Sequence, residues 1–456
     1  MIEFLARWFD ARLGAAKFTR KVMNHVFPDH WSFMLGEIAL YSFVVLVITG
    51  VFLAVFYQGS SVPVIYHGAY RPLRGVRMSA AYHSVLRLSF SIPAGLLFRQ
   101  MHHWAADIFI AAIFAHLARI YFTAAYRKPR ELNWLIGLTM LLLALANGFF
   151  GYSLCDDVLS GAGLRVGYAI LLSVPVVGPW LAFLVFGGTS PNPATLPRMF
   201  AWHIFFIPAA LAFLILAHLG IIWRQMHANY PGAGGGEKLI VGSRFWPVYT
   251  MKSLALFFGV FAGIAALGGW VQIDPVWVYG PYNPIGIVPG AQPDWYLGWV
   301  EGAMRLFPGV NGHVGRWLIP ELFFPGFLFP ALVFAFLYCY PFLEQWLCLD
   351  FRGHNVLRRP WEMPWATALG CAGLAFVLVL EIAGGDDVIA VAMGSSVIVV
   401  RRVLRVLAIV APLITGWIIH RWCEAARRKH AHPREALAGA NAGYSEAEIA
   451  PQPRPR

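Results

Sequence analysis

The sequence predicts an all-α integral membrane protein with eight transmembrane helices, and three observations carry that reading. Of 456 residues, 59% are hydrophobic, and the mean hydropathy is +0.61. Charged residues make up 13%, about half the roughly 25% of an ordinary globular chain. The apolar residues fall in solid runs near the ~20 residues that carry a helix across hydrocarbon, whereas a transmembrane β-barrel would alternate polar and apolar positions.

Residues 1–30 mix Phe4, Leu5, Trp8, Phe9 and Leu13 with Arg7, Arg12, Lys17, Arg20 and Lys21. That is the pattern of an amphipathic helix lying on a membrane surface, not of a secretory signal. Spans are expected at 33–57, 102–125, 134–154, 199–223, 249–270, 320–340, 365–381 and 404–421. The run 166–186 is long enough for a ninth, but Pro175 and Gly178-Pro179 interrupt it, so it is expected to fold as an outer-side helical hairpin between spans three and four. Long loops at 58–101 and 271–319 both fall on the outer side, where they are candidates for function or partner contact. Residues 426–456 begin basic and end rich in Pro and Ala, as expected of a surface-bound or disordered tail.

Eight crossings put both termini on one side, and that side carries most of the 35 Lys and Arg. The positive-inside rule makes it cytoplasmic, giving a multi-pass protein of the cell membrane. The net charge of +12 then has a topological explanation, and no nucleic-acid partner is needed. The five cysteines form no CxxC or CxxCH, which removes a covalent c-type haem and a thiolate metal cluster.

Histidines inside the spans are the informative residues. His102 and His116 in span two are 14 apart, and His203 and His218 in span four are 15 apart. At 100° per residue each pair lies within about 40–60° of one helix face, about 21 Å apart along the axis. Two such helices facing each other would form two bis-imidazole sites at two depths, the ligand set of haem iron. A lone intramembrane histidine is commonly just a hydrogen-bonded packing residue. Four at matched depths point to two b-type haems.

Gly36 and Gly50 in span one, and Gly137 and Gly151 in span three, repeat the interval of 14. Small residues also serve plain helix packing in membranes, but here they would clear the faces of two flat macrocycles inside a four-helix bundle. Arg99, Arg119 and Arg198 flank the same histidines. An arginine this deep is costly without an anion, so haem propionates are the expected partners, although Arg99 and Arg198 sit near enough to the interface to snorkel.

These histidine and glycine pairs, with Gly151-Tyr152-Ser153-Leu154, Ala194-Thr195-Leu196-Pro197-Arg198 and Pro293-Asp294-Trp295-Tyr296, resemble the cytochrome b subunit of quinol:cytochrome c reductases, the cytochrome bc complexes. Residues 31–53 and 151–164, with Asp where many relatives have Glu in the outer-loop motif, look like the actinobacterial branch, whose usual substrate is menaquinol. The resemblance divides the chain into the N-terminal segment 1–30, a dihaem four-helix domain 31–230, a C-terminal four-helix domain 231–425 bearing the outer quinol loop, and the tail 426–456. It implies a Rieske iron–sulfur subunit, a dihaem cytochrome c, an aa3-type oxidase in a supercomplex and a homodimeric core as partners.

By the same resemblance, the outer haem would take His102 and His203 and the inner haem His116 and His218. Asp294 would accept a proton from quinol, with Tyr296 and Tyr152 orienting it, since a carboxylate can pick up a proton in an apolar pocket. One electron would leave to the iron–sulfur partner, and the other would cross through the two haems to a quinone near Trp31, Ser32, His227, Lys252 and Ser253, contributing to proton motive force. Two departures stand out. Cys155 stands where relatives usually have Pro, and Ser253 where many have an acid, leaving His227 or Glu237 as substitutes for the inner proton donor. Two other classes fit the spans alone: a dihaem anchor of a quinone-linked dehydrogenase, and a transporter whose histidines carry no haem.

Overall fold

A computed structural model describes residues 2–232, 236–286 and 292–442. Seven of its helices are long and apolar enough to cross a membrane: Trp31–Phe56, Gly95–Phe122, Glu131–Ser153, Thr195–Gln225, Phe245–Trp270, Phe324–Cys348 and Pro364–Gly384, here spans one to seven. The eighth expected segment, 404–421, is helical within Val397–Ala442. That helix runs on into 426–442, which was expected to be surface-bound or disordered. Residues 443–456 lie outside the described residues.

The N-terminal segment is two helices, Ile2–Leu13 and Ala15–Met23, broken at Gly14, whose φ of +60° suits a residue without Cβ. Phe4, Leu13 and Phe18 are exposed along it. The hairpin expected over 166–186 forms from Val158–Leu172 and Gly178–Phe186, its first helix starting eight residues earlier than expected. Asp157 caps its first helix, accepting from Ser160 N–H at 3.3 Å in a reciprocal box. Gly187, at φ +85°, ends its second.

Span boundaries differ from the sequence reading wherever polar residues lie inside the helix. Span two begins a full two turns earlier, because Gln100 exchanges hydrogen bonds with the Ile273 backbone (2.9 and 2.8 Å), so its polar turn is paired rather than frayed. Span six runs through Pro341 to Cys348, beyond the expected stop at 340, while residues 317–319 are a strand paired with 312–314.

Span one packs along span two, span five lies against both, and span four packs on span three. Where they meet, Ala39, Phe109, Ile110, Ile113, Leu141 and Leu145 are buried, together with Tyr296 from the outer loop. Between lipid-soluble helices, dispersion and close approach hold the contact rather than exclusion of water. Thr49 stays dry by donating to its own helix's Val45 carbonyl at 2.7 Å. The loop helix Trp295–Leu306 rests on span seven, which packs in turn against Val397–Ala442.

Candidate haem and quinone sites

The fold brings the four histidines together in the expected pairs. The rings of His102 and His203 lie 6.0 Å apart between centroids, at 78°, and those of His116 and His218 lie 6.5 Å apart, at 72°. Metal–imidazole bonds of about 2.0–2.1 Å, with about 1.1 Å more to each ring centre, would set two axial imidazoles roughly 6.3 Å apart. Both pairs fit one metal centre each. Hydrogen bonds orient the outer pair: Thr49 Oγ1 accepts from His102 Nδ1 at 2.9 Å and the Asn147 carbonyl from His203 Nδ1 at 3.0 Å, so Nε2 of each would be the atom to hold a metal. His203 sits in a π-helical turn, Trp202–Phe206, a distortion frequent at functional sites.

Three of the four glycines behave as cradles. A Cβ at Gly36 would come within 3.1 Å of His116, one at Gly50 within 3.1 Å of His102, and one at Gly151 would collide with His203. Gly137 differs, since its nearest neighbour would be Leu117 at 3.7 Å. The arginines divide as well. Arg119 is half-buried over the Phe33 ring (4.1 Å); its Nε donates to Ser32 Oγ at 3.4 Å, and its buried Nη2 lacks a hydrogen-bond partner, a donor suited to a propionate. Arg99 instead pairs with Asp274, at 3.1 Å to the carboxylate and 2.7 Å to the carbonyl, and Arg198 donates to the hairpin carbonyls of Phe183 and Leu184. Arg99 takes its acceptors from a loop 175 residues away but keeps Nη1 buried without a partner, as Arg119 keeps Nη2, whereas Arg198 is engaged by the neighbouring hairpin helix.

On the outer side, Asp294 accepts from His103 Nε2 at 3.1 Å through one oxygen and from Tyr296 O–H at 2.9 Å through the other. Tyr296 is 2% exposed. Burial, followed by the Asp294 charge, pushes its phenol well above the usual range, so it remains a donor. The sequence reading gave His103 no role, although it neighbours a proposed ligand; its partner lies on a loop 191 residues away. Trp295 donates to Asp107 at 2.9 Å and so fixes the start of the loop helix on span two. Tyr152 closes span three within electrostatic reach of Tyr296. Cys155 Sγ lies 4.0 Å from Asp274, and burial raises its thiol, keeping it neutral. A cavity of about 970 Å³ opens between the hairpin (Val166, Ala169) and the far turns of the loop helix (Glu301, Met304).

On the inner side, Ser32 is buried, bonded to Tyr230 at 2.9 Å and to His30 at 3.0 Å. His227 is half-buried, its buried Nδ1 unpartnered beside the rings of Phe27 and Phe33; burial lowers it first and Arg119 next, to about 3, so it is a neutral imidazole. Trp31 is exposed. Lys252 is drawn to Asp29 at 2.6 Å on the surface, while Ser253 turns inward to Glu37 at 2.5 Å. Glu237, one of the two suggested proton donors, instead receives the Asn355 backbone N–H.

Comparison with known proteins places the chain in a family. Residues 107–281 match the family described as Cytochrome b(N-terminal)/b6/petB. The chain is 44% identical to the "Cytochrome bc1 complex cytochrome b subunit" of Mycobacterium leprae, over 91% of this chain and 75% of that one. It is 43% identical to the protein of the same description in Streptomyces coelicolor, over 94% and 78%. A solved structure described as "Hyperthermophilic respiratory Complex III" superimposes with a TM-score of 0.66 at 22% identity, covering 91% of this chain and all of that one, which establishes the fold. None of these relatives is described as a dehydrogenase anchor or a transporter, and those two readings are dropped. With such identity sustained over nine-tenths of its length, the chain belongs to the cytochrome b subunits of cytochrome bc1 complexes.

Proposed function

We propose that this multi-pass membrane subunit holds two b-type haems, His102 and His203 binding the outer and His116 and His218 the inner, within a quinol:cytochrome c oxidoreductase that oxidises menaquinol outside and reduces quinone inside. Haem b itself follows from family membership. The number two rests on the single strongest observation, two imidazole pairs at 6.0 and 6.5 Å stacked along the same two helices. Bound there, haem supplies reversible one-electron chemistry at two depths of the membrane.

The residues around the pairs do the rest. Asp294 takes a proton from a quinol hydroxyl, and His103, hydrogen-bonded to it, steadies the carboxylate. Tyr296 and Tyr152 orient the head group. Arg119 holds a propionate of the inner haem. At the cytoplasmic side, Ser32, His227 and Ser253 face the second quinone, while Trp31 and Lys252 form its rim. Residues 31–230 form the haem-binding unit and 231–425 carry the quinol loop. Membership in a bc1 complex brings partner subunits; a Rieske protein, a dihaem cytochrome c, an aa3-type oxidase and a second copy of this chain are the partners proposed.

The test is spectroscopic. In the purified complex, His116→Leu is expected to remove one of two b-haem components from the dithionite-reduced minus oxidised spectrum, and His203→Leu the other. Loss of the same component in both variants, or of none, defeats the two-site assignment.

A further inference from the structure

Near the cytoplasmic end of span one, a carboxylate is held by hydroxyl groups. Glu37 Oε2 accepts from Ser253 Oγ at 2.5 Å and from Tyr41 O–H at 3.3 Å; Oε1 accepts from Tyr249 O–H, and Tyr41 and Ser253 bond to each other. Among the described residues, no Lys or Arg stands within ion-pair distance of it: the nearby Lys252 is taken by Asp29. A carboxylate inside a membrane span is expensive, and an arginine or lysine would have locked it in the charged state. Hydroxyls do not lock it. Each can donate to a carboxylate or accept from a carboxylic acid, so the cluster satisfies Glu37 in both protonation states without rearrangement.

The surroundings lead both outward and inward. Tyr249 stacks on Phe27 at 4.2 Å, and the same Phe27 ring meets His227 at 5.1 Å and His25 at 5.2 Å, two histidines with a buried ring nitrogen lacking a partner. One residue from Ser253, the Lys252–Asp29 pair is open to the cytoplasmic surface. The groups facing Glu37 are therefore Tyr41 from its own helix and Tyr249 and Ser253 from span five, with Lys252, Asp29, His25 and His227 in the next layer.

We propose that Glu37 is the acid that protonates quinone at the cytoplasmic site, with Ser253, Tyr41 and Tyr249 as its positioning residues. This rests on the inner quinone site proposed above. The quinone gains two electrons, supplied by quinol oxidised at the outer site, and two protons. One quinone O–H bond forms as the Glu37 O–H bond breaks; the other oxygen takes its proton from cytoplasmic water, and the Glu37 carboxylate is then reprotonated from the same water past Asp29 and Lys252.

The experiment uses the whole purified complex with its outer site blocked by an inhibitor, and follows b-haem reduction by 2,3-dimethyl-1,4-naphthoquinol entering from the inner side. Glu37→Gln keeps hydrogen-bonding capacity but carries no acid; it is expected to retain the full dithionite-reducible haem spectrum, slow this reduction at least tenfold and flatten its pH dependence. Adding Ser253→Asp to E37Q restores an acid at nearly the same point and is expected to recover most of the rate. A wild-type rate in E37Q, or a loss that S253D does not recover, makes Glu37 a helix staple and overturns the proposal. Absence of inner-side reduction in the wild type would instead remove the inner site itself. Where E37Q does not assemble, Glu37→Asp decides: a carboxylic-acid band in the infrared redox difference spectrum must shift from its wild-type position, and an unshifted band overturns the assignment.

Discussion

At the scale of single residues, Asp294 is defined by its two donors. An Asn in its place keeps both shapes and one acceptor but cannot take a proton. Asp294→Asn is expected to slow outer quinol oxidation by about 10²-fold or more, in keeping with the usual worth of a general base, with both b-haem signals intact; turnover at the wild-type rate would end the assigned role. Asp157 yields a pH prediction. Burial, and next the charge of Asp274, raise its carboxyl to about 6. An acid whose folded value lies above its unfolded one stabilises the fold fully below the unfolded value near pH 4, and that contribution is lost as pH rises through about 6. Asp157→Asn keeps the cap on Ser160 and removes the ionisation, so its melting temperature should gain on the wild type between pH 4 and pH 7. A constant difference across that range would show that Asp157 does not titrate there. The sequence could reveal the ligand pairs because helical periodicity is a property of one strand of text. It could not reveal His103 or Glu37, whose partners Asp294 and Ser253 lie 191 and 216 residues away.

At the scale of elements, glycines decide how closely helices approach. The interval of 14 was legible, but only packing separates Gly151, where a side chain would strike His203, from Gly137, where it would meet Leu117 at ordinary contact distance. Gly151→Ala is therefore expected to diminish the outer b-haem component selectively, while Gly137→Ala leaves both components near wild-type levels; equal effects would mean that the glycines serve general packing. The same logic holds the quinol loop. A Cβ at Gly302 would run into the Leu380 carbonyl of span seven, and one at Gly384 would lie 2.7 Å from the Gly298 carbonyl. Gly302→Ala should then lift the loop helix off span seven and cost about 1–3 kcal/mol, the usual range for overpacking, read as a lower melting temperature with slower outer quinol oxidation. Span boundaries were less legible than span existence. Hydropathy sees the apolar middle of a helix, whereas Gln100 and Pro341 belong to helices through hydrogen bonds and neighbours that a composition window cannot see.

At the scale of the whole molecule, the number of crossings fixes where the chain ends lie. Seven helices meet the length and apolarity of a span, and the helix Val397–Ala442 decides whether an eighth crossing follows. Its start is basic and anchored: Arg401 donates to Asp386 at 2.8 Å, and Arg405 to the Leu306 carbonyl at 2.8 Å, tying it to the base of the quinol loop on the outer side. Its middle, from Val406 to Ile419, carries apolar side chains such as Ile409, Leu413 and Trp417 that are left exposed by the protein, which suits lipid contact. Among the described residues Arg427 then reaches only Glu424, on its own helix, at 2.9 Å, as expected for residues beyond the far interface. On these features we propose eight crossings with both termini cytoplasmic, the arrangement that also gives most of the basic excess to the inner side. Single cysteines at Gly14 and Arg428, in a background freed of the five native cysteines, should then react with a membrane-impermeant maleimide only in inverted vesicles. Val314→Cys in the outer loop should react only in right-side-out cells. If position 428 reacts from the opposite side to position 14, the helix from Val397 does not cross, and the inner location of the tail and the charge argument fall together.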